Sequence, residues 1–230
     1  MTFSRWQALG NVYLLTDLAD LDADEVRRTV GDTDGILEVR ERGDDWADVV
    51  IWNPDGSRAE MSGNGTRIVA CWLAAQTGAR AVRIRVGDRV VEAKLLHDDE
   101  VEQDLGEVVV GSEEEVDGIR FTPVSVGNPH AVVVGDPEEI ARIGPLLETH
   151  PRFPHRTNVQ VARIEPSGVV RARVWERGVG ETRASGTSAV AVAAATHGGG
   201  TVTVRFPGGD LVVRLERGRA YLTAPAARAE

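Results

Sequence analysis

One pattern occurs twice in this chain and restricts the folds open to it more than any other feature. In the first copy a strand pattern ends at Trp52, and ten residues later Ser62 and a glycine open an apolar helical segment. In the second copy the strand pattern ends at Trp175, and Ser185 and a glycine follow at the same distance. The copies lie 123 residues apart in a chain of 230 residues. We interpret them as a duplication that produces two half-domains; the alternative is a coincidence in a chain rich in Ala, Val and Gly.

Alternation of apolar and polar residues with a period of two dominates the chain and is typical of half-buried strands. The predicted strands are residues 11–17, 35–40, 48–53, 81–86, 89–96, 130–134, 158–164, 169–176, 201–206 and 211–215. The predicted helices are residues 22–30, 66–76, 137–148 and 187–197. Helices 66–76 and 187–197 are apolar on nearly all sides, which predicts that they are buried. These patterns indicate an α+β fold with much antiparallel sheet, in which the acidic residues 96–117 form either a domain boundary or a charged hairpin.

The charge balance argues against nucleic acids and anionic membranes as partners. Asp and Glu number 36 against 26 Lys and Arg, a net charge of −10, and such a chain repels phosphate groups. No apolar run approaches the ~18 residues that span a bilayer, and the first residues lack the apolar core of a signal peptide. The single cysteine, Cys71, excludes an intramolecular disulfide framework and suits a reducing compartment. We therefore expect a cytoplasmic protein without nucleic-acid or membrane partners.

The residue types that usually hold cofactors are absent or isolated. The five histidines have no metal-ligand spacing, and one cysteine cannot build a zinc site. Lys94 is the only lysine and lies in a strand pattern, and no nucleotide-binding loop of the glycine-lysine type occurs. Cys71 lies inside an apolar helical segment, which favours a core residue over a nucleophile. We therefore expect chemistry without a metal ion or an organic cofactor.

The two Ser-Gly helix starts can together form an anion site. A helix N-terminus presents unpaired N–H groups and a partial positive charge, and small residues there let a ligand approach the backbone. If the halves face each other, both helix starts meet in one cleft with Ser62 and Ser185 on opposite sides of the ligand. That arrangement suits a reaction that removes a proton from one face of a carbon and returns one to the other. The alternative is that both serines only cap buried helices.

Seven short segments occur in the order in which the diaminopimelate epimerase family has them: residues 3–11, 53–57, 61–67, 126–130, 153–158, 176–182 and 222–226. The chain resembles this family of cofactor-independent amino-acid epimerases of lysine and peptidoglycan biosynthesis nearly from end to end. The resemblance implies two pseudo-symmetric half-domains, each a curved, mostly antiparallel sheet around a central helix. Residues 1–113 and 219–230 form the first half-domain and residues 114–218 the second. It also implies an active site between the halves and a small amino acid as substrate, and it favours a homodimer.

The resemblance implies a mechanism with two cysteine thiols at the helix starts, one removing the α-proton and the other delivering a proton to the opposite face. This chain has Ser62 and Ser185 at those positions. A thiol with a pKa near 8.5 can be tuned to a working base, whereas a hydroxyl is a far weaker acid and a helix terminus contributes only ~1–2 kcal/mol. Cys71 lies nine residues beyond Ser62 and does not replace the thiol. The two-thiol mechanism is therefore not open to this chain.

Three interpretations remain. In the first, the serines pass protons to neighbouring bases; the family pattern places His130 near the first helix start and Glu176 near the second. In the second, the chain is a divergent isomerase of the wider superfamily, which includes members without the cysteine pair and would use the same two bases. In the third, it binds an amino acid without turning it over, as a natural or an engineered inactive form. We expect an epimerase that converts LL- to meso-diaminopimelate, with Ser62, Ser185, His130 and Glu176 as catalytic residues.

The resemblance also assigns a set of substrate-holding residues. Several are asparagines, whose side chains carry a donor and an acceptor and so can bind ammonium and carboxylate groups alike. The residues carried over are Asn11, Asn53, Gly63, Asn64, Asn128, Asn158, Glu176, Arg177, Gly186 and Thr187.

Overall fold

The structure is a computed structural model that describes residues 2–17, 20–97 and 99–229. The helices of these residues are α1 (Ala23–Thr29), α2 (Gly63–Thr77), α3 (Ile140–Glu148) and α4 (Gly186–His197), and a 3₁₀ turn, Pro137–Glu139, precedes α3. The strands are β1 (Ser4–Ala8), β2 (Asn11–Thr16), β3 (Gly35–Arg42), β4 (Trp46–Trp52), β5 (Arg58–Ala59), β6 (Ala81–Val86), β7 (Arg89–Leu95), β8 (Glu100–Glu107), β9 (Val109–Val110), β10 (Glu114–Val116), β11 (Ile119–Ser125), β12 (Pro129–Val134), β13 (Asn158–Ile164), β14 (Val170–Glu176), β15 (Gly180–Thr182), β16 (Gly200–Phe206), β17 (Gly209–Glu216), β18 (Arg219–Pro225) and β19 (Ala227–Arg228). Every predicted strand and helix lies on an observed element whose ends differ by at most three residues. Within the described part of the chain, no helix combines the length and the apolar character that a membrane crossing requires.

The chain divides into two compact units. Unit 1 comprises Met1–Asp104 and Thr223–Glu230, and unit 2 comprises Leu105–Leu222. The chain passes between the units within β8 and again within β18. The acidic residues 96–117 therefore contain a unit boundary and a regular strand. The half-domain limits that the resemblance implies, after residue 113 and before residue 219, stay predictions.

Unit 1 is one sheet with the strand order β19-β1-β2-β3-β4-β6-β7-β8. The pairs β2–β3 and β4–β6 are parallel, and the chain between them contains α1 and α2, respectively. The other pairs are antiparallel, and the short β5 pairs with the end of β4. The helix α2 is thus a crossover connection, which delivers its N-terminus beside the ends of β2 and β4.

Unit 2 repeats this connectivity. Its strand order is β11-β12-β13-β14-β16-β17, with β12–β13 and β14–β16 parallel and α3 and α4 in the two crossovers. The short β15 pairs with the end of β14, as β5 does with β4. The expected α+β architecture of two pseudo-symmetric halves is therefore confirmed.

The helices α2 and α4 are buried on all sides, as their apolar sequences predict. Every residue from 64 to 73 in α2 is buried, and α4 is buried from residue 188 to residue 194. Strands of the same unit contact each helix: β1, β4, β6 and β7 contact α2, and β11 to β14, β16 and β17 contact α4. Both helices end at a left-handed glycine, Gly78 with φ of 78° and Gly198 with φ of 70°, a conformation that other residues adopt only with strain.

Candidate active site

Ser62 lies at the N-terminus of α2 and caps the helix. Its Oγ accepts a hydrogen bond from the N–H of Gly65 at 3.0 Å, and the phenol oxygen of Tyr13 on β2 lies 3.2 Å from the same Oγ. A Cβ at residue 65 would come within 2.8 Å of the Leu37 side chain and 3.3 Å of Ser62 Oγ, so glycine permits this close packing. The capping interpretation therefore holds for Ser62, but the cap uses only a lone pair of Oγ and leaves its proton for Tyr13.

A fully buried cation lies one turn into the same helix. The side chain of Arg67 is 0% exposed, and its guanidinium donates to Gln103 Oε1 at 3.1 Å and to Asn64 Oδ1. Its Nε has no hydrogen-bond partner among the described residues. Burial lowers the pKa of Arg67 to about 10, so the group stays charged at neutral pH. Since Arg67 holds the oxygen of the Asn64 amide, the N–H groups of that amide are the part that can reach a ligand.

The other two unit 1 residues that the resemblance assigns lie at strand ends. Asn11 opens β2 and pairs with Ala8 in the β1–β2 hairpin. Asn53 follows β4, and its Nδ2 donates to Ser57 Oγ at 2.9 Å. In the described part of the chain, neither asparagine side chain bonds to Ser62, so their assignment to the substrate stays a prediction.

Ser185 begins α4, but its side chain makes no capping hydrogen bond. It instead interacts with the carboxyl group of Glu176 and lowers its pKa, and that carboxyl group accepts a hydrogen bond of 2.5 Å from the hydroxyl of Thr182. Burial raises the pKa of Glu176 above its ordinary value, against the effect of these two hydrogen bonds. A carboxylate with a raised pKa is a better proton acceptor near neutral pH. The second helix start therefore pairs a buried hydroxyl with a base.

His130 is enclosed by amide groups of unit 2. Its Nε2 lies 2.9 Å from Asn128 Oδ1, and its Nδ1 lies 3.0 Å from Gln160 Nε2. An amide nitrogen only donates and an amide oxygen only accepts, so this network assigns the proton to Nε2 of His130. Burial, and secondarily the charge of Arg177, lowers the pKa of His130 to about 3. The ring is therefore neutral at physiological pH with both nitrogens engaged, which makes it a poor proton acceptor in this state.

Asn158 connects two loops of unit 2 with its side chain. Its Nδ2 donates to the carbonyl oxygen of Pro129 at 2.9 Å, and its Oδ1 accepts from the backbone N–H of Arg177 at 3.0 Å. Both polar atoms thus hold backbone groups. In this structure Asn158 positions the segments that carry Asn128 and Arg177, and its role toward the substrate stays a prediction.

Sequence reasoning missed Glu148, a buried carboxylate at the end of α3. Its Oε2 accepts from the indole N–H of Trp175 at 2.7 Å, and its Oε1 accepts from the N–H of Gly178 at 2.7 Å. Desolvation raises its pKa, but these bonds and Arg156 at 3.4 Å outweigh it, so the pKa lies below its ordinary value. Glu148 therefore fixes both sides of the turn that carries Glu176. The sequence offered one indication, since a buried indole N–H needs a hydrogen-bond acceptor. That requirement does not identify Glu148 as the acceptor.

The two helix starts carry equivalent chemistry. Neither α2 nor α4 has an acidic residue in its first turn, so the positive end of each helix dipole is available to an anion such as a carboxylate. Gly63 and Asn64 form the first turn of α2, and Gly186 and Thr187 form that of α4. Each unit therefore combines an anion-binding helix start with a serine hydroxyl that contacts a titratable side chain, Tyr13 or Glu176.

Cys71 lies in the buried middle of α2 and not at a helix start. Burial raises the pKa of its thiol to about 11, so the thiol is protonated at neutral pH. Across the described residues, no group of three or more His, Cys, Asp and Glu side chains lies together as a metal site requires.

Comparison with known proteins places this geometry in a family. The family model described as diaminopimelate epimerase matches residues 122–228. A diaminopimelate epimerase of Pelotomaculum thermopropionicum is 40% identical, over 76% of this chain and 74% of that protein. The chain belongs to the diaminopimelate epimerase family. A diaminopimelate epimerase of Methanococcus maripaludis extends the match, with 34% identity over 98% of this chain and 96% of its own.

The fold of the family is shared with more distant enzymes. The crystal structure of a hydroxyproline epimerase from Agrobacterium vitis, with bound trans-4-hydroxy-L-proline, superposes with a TM-score of 0.68 over 99% of this chain and 88% of its own, at 16% identity. At that identity the likeness shows the fold alone. Together with the relatives, it supports the predicted class of the protein, an isomerase of the epimerase type.

Proposed function

We propose that this chain is an epimerase that exchanges the α-proton of diaminopimelate and interconverts its LL and meso forms. The observation that carries the proposal is the interaction of the Ser185 hydroxyl with the buried carboxyl group of Glu176 at the N-terminus of α4. It supplies a proton path from a substrate carbon to a base without a thiol. The names of the relatives in this family support diaminopimelate as the substrate.

In unit 2, the proton path has two members. When Ser185 Oγ takes a proton from the substrate, its own proton passes to the carboxylate of Glu176, and the reverse transfer returns a proton to carbon. The raised pKa of Glu176 lowers the cost of this transfer, because the acid that forms is weaker than an ordinary carboxylic acid. Thr182 holds the carboxyl group in place through its 2.5 Å bond.

The negative charge that develops on the α-carbon needs stabilisation. Deprotonation at this carbon moves an electron pair toward the adjacent carboxylate, so groups that hold the carboxylate also stabilise the carbanion. The uncapped N–H groups at the start of α4 and the guanidinium of Arg177 are the candidates in unit 2. In unit 1, the amide N–H groups of Asn64 and the buried charge of Arg67 are the corresponding groups beside the start of α2.

We propose further that the protein works as a cytoplasmic homodimer on free amino acids. The family resemblance supports the dimer, and the net charge of −10 supports a partner that is not a nucleic acid. Light scattering after size exclusion measures the mass directly, and a mass near 24.8 kDa instead of twice that value would overturn the dimer.

The function is tested by incubating LL-diaminopimelate with the protein in deuterated water. We expect deuterium at one α-carbon and the appearance of the meso form, both followed by NMR and chiral chromatography. Glu176→Gln removes the base and keeps the shape, so it should no longer form the meso isomer, while Glu181→Gln on the exposed face of β15 should keep both signals. A binding signal in calorimetry without deuterium incorporation, over hours at high protein concentration, would replace the epimerase by an amino-acid-binding protein.

A further inference from the structure

The phenol of Tyr13 is the one titratable group that touches Ser62 within the described residues. Tyr13 lies on β2, is 8% exposed, and places its oxygen 3.2 Å from Ser62 Oγ. The ring belongs to the hydrophobic core of unit 1 and lies so close to Gly35 that a Cβ there would come within 3.1 Å of it. The contact is therefore part of the packed core of unit 1 and not a chance meeting of mobile side chains.

The hydrogen bonds at Ser62 leave its proton free to be shared with this phenol. Oγ accepts the N–H of Gly65, and an N–H can only donate, so the Ser62 hydroxyl proton has no use in the cap. A bond between Ser62 and Tyr13 can run in either direction. A hydroxyl pair of this kind moves a proton from one oxygen to the other without a change of position by either side chain.

The buried charge of Arg67 opposes the cost that burial places on a Tyr13 phenolate. The two groups interact electrostatically, and the interaction favours the charged guanidinium beside a phenolate. Both hydrogen-bond partners of Arg67 are neutral amides, so its field is not cancelled there by a carboxylate. Cys71, the other acidic group facing Arg67 from α2, is protonated at neutral pH because its pKa is raised to about 11. Of the two acidic groups that interact with Arg67, Tyr13 and Cys71, the phenol of Tyr13 is therefore the one that contacts Ser62.

We propose that Tyr13 is the acid–base residue of the first half-site and exchanges its proton with the substrate through Ser62; this inference rests on the proposed epimerase function. When Tyr13 is the phenolate, Ser62 Oγ takes the α-proton while its own proton passes to the Tyr13 oxygen. The Cα–H bond breaks, an O–H bond forms on Tyr13, and the electron pair stays on the substrate carbon. The reverse transfer starts from the phenol and leaves a phenolate beside Arg67.

Isotope exchange separates the two bases. In deuterated water Tyr13→Phe should lose epimerisation on the order of 10²- to 10⁴-fold, yet still exchange the α-proton of one stereoisomer, LL or meso, without inversion, because Glu176 remains. Glu176→Gln should retain exchange in the other stereoisomer only. Tyr221→Phe, which removes the second tyrosine of the chain from β18, is the matched control and should epimerise like the wild type. Tyr13→Phe activity equal to the wild type, or equal loss of exchange in both stereoisomers, would overturn the proposal.

A titration tests the pair without turnover. With Tyr221→Phe as background, Tyr13 is the only tyrosine, and its phenolate is followed by absorbance near 295 nm. Arg67→Gln should move the titration to higher pH by at least one unit, and Arg67→Lys, which keeps the charge, should move it less. If the wild type does not act on diaminopimelate but Tyr13 responds to Arg67 in this way, the proposed substrate fails and the acid–base pair stands. A titration indifferent to Arg67 overturns the pair even in an active enzyme.

Discussion

Ser62 and Ser185 occupy the same position in the repeat but use their hydroxyl groups differently. Ser62 accepts a hydrogen bond from its own helix and contacts Tyr13, whereas Ser185 leaves its helix uncapped and interacts with Glu176. The serine at the helix start therefore caps its helix in unit 1 but not in unit 2. At Ser62 the two roles coexist, since capping uses a lone pair and proton transfer uses the hydrogen.

Substitution at Ser62 separates these two roles. Ser62→Ala removes the cap and should lower the free energy of unfolding by about 1 kcal/mol, and Ser62→Asn, which keeps a capping oxygen, should recover most of that loss. Neither variant has a hydroxyl proton, so both should lose epimerisation. Urea unfolding and the deuterium assay measure the two effects. If Ser62→Asn is both stable and active, Ser62 is a cap only.

The buried, neutral His130 predicts a loss of stability in acid. Its pKa is about 3 in the folded protein, below the ordinary value of 6.5, so the unfolded chain binds the proton more tightly. The stability from this group is complete above pH 6.5 and falls as the pH drops toward 3, by about 2 kcal/mol at pH 5. Urea unfolding at pH 7 and pH 5 measures the loss. His130→Gln should remove this component, while exposed His155→Gln should keep it.

At the scale of elements, the turn after β14 depends on a helix that is distant in sequence. Glu148 at the end of α3 binds the indole of Trp175 before the turn and the N–H of Gly178 within it. Gly178 has a left-handed φ of 77°, so the chain reverses tightly after Glu176 and pairs β15 with the end of β14. The position of the base is therefore set by α3 as much as by its own strand.

Replacement of Glu148 tests this dependence. In Glu148→Gln an amide N–H₂ faces one of two N–H donors, so the free energy of unfolding should fall by about 1.5–3 kcal/mol. Since Glu176 and Arg177 move with the turn, kcat should fall more than KM rises. Glu139→Gln, which breaks only an exposed pair with Arg142, is the control and should cost less than about 1 kcal/mol. Unchanged kinetics in Glu148→Gln would refute the positioning role.

Periodicity predicted ten strands and the four helices, but it missed the strands β11 and β18, although β18 alternates buried residues with more exposed ones. The strand Asn158–Ile164 was predicted to the residue, but β8, with the sequence EVEQDLGE, was not recognised. Only Val101 and Gln103 of β8 are buried, and one of them is polar because it pairs with Arg67. A strand that buries a polar side chain for a specific partner gives no hydrophobic signal.

For the candidate site, the helix starts and Glu176 were available from the repeat and the family pattern. Tyr13 and Glu148 were not, because each acts through a contact 49 or 27 residues away in sequence. Sequence spacing carries no information about such a contact until the fold has brought the elements together. The neutral state of His130 likewise follows from its enclosure by Gln160 and Asn128, and these residues surround it only in the folded chain.

At the scale of the whole molecule, the duplication gives each unit one serine hydroxyl at the start of its central helix. The copies have diverged in their partners, a phenol in unit 1 and a carboxylate in unit 2. Two different pKa values suit a reaction in which one group must start as a base and the other as an acid.

This division predicts the outcome of restoring the thiols. Ser62→Cys combined with Ser185→Cys should raise kcat/KM for diaminopimelate by orders of magnitude, because helix starts lower thiol pKa values toward neutrality. Each single variant should gain far less, since the unchanged serine limits its half of the reaction. Steady-state kinetics on the three variants measures the effect. A double variant that binds diaminopimelate but stays inactive would mean that the catalytic pair lies elsewhere.

The two buried helices differ in the size of their side chains. From Ala189 to Val192, α4 alternates alanine and valine, each with 0% exposure. Because these side chains are small, the surrounding strands pack close to the helix axis. A larger side chain there has no direction in which to expand, and overpacking costs about 1–3 kcal/mol. The helix α2 carries larger side chains, among them Ile68, Trp72 and Leu73, so its strands enclose a wider helix. The small residues of α4 therefore set how closely the strands of unit 2 approach its axis, and any enlargement at residues 189–192 has to displace a strand.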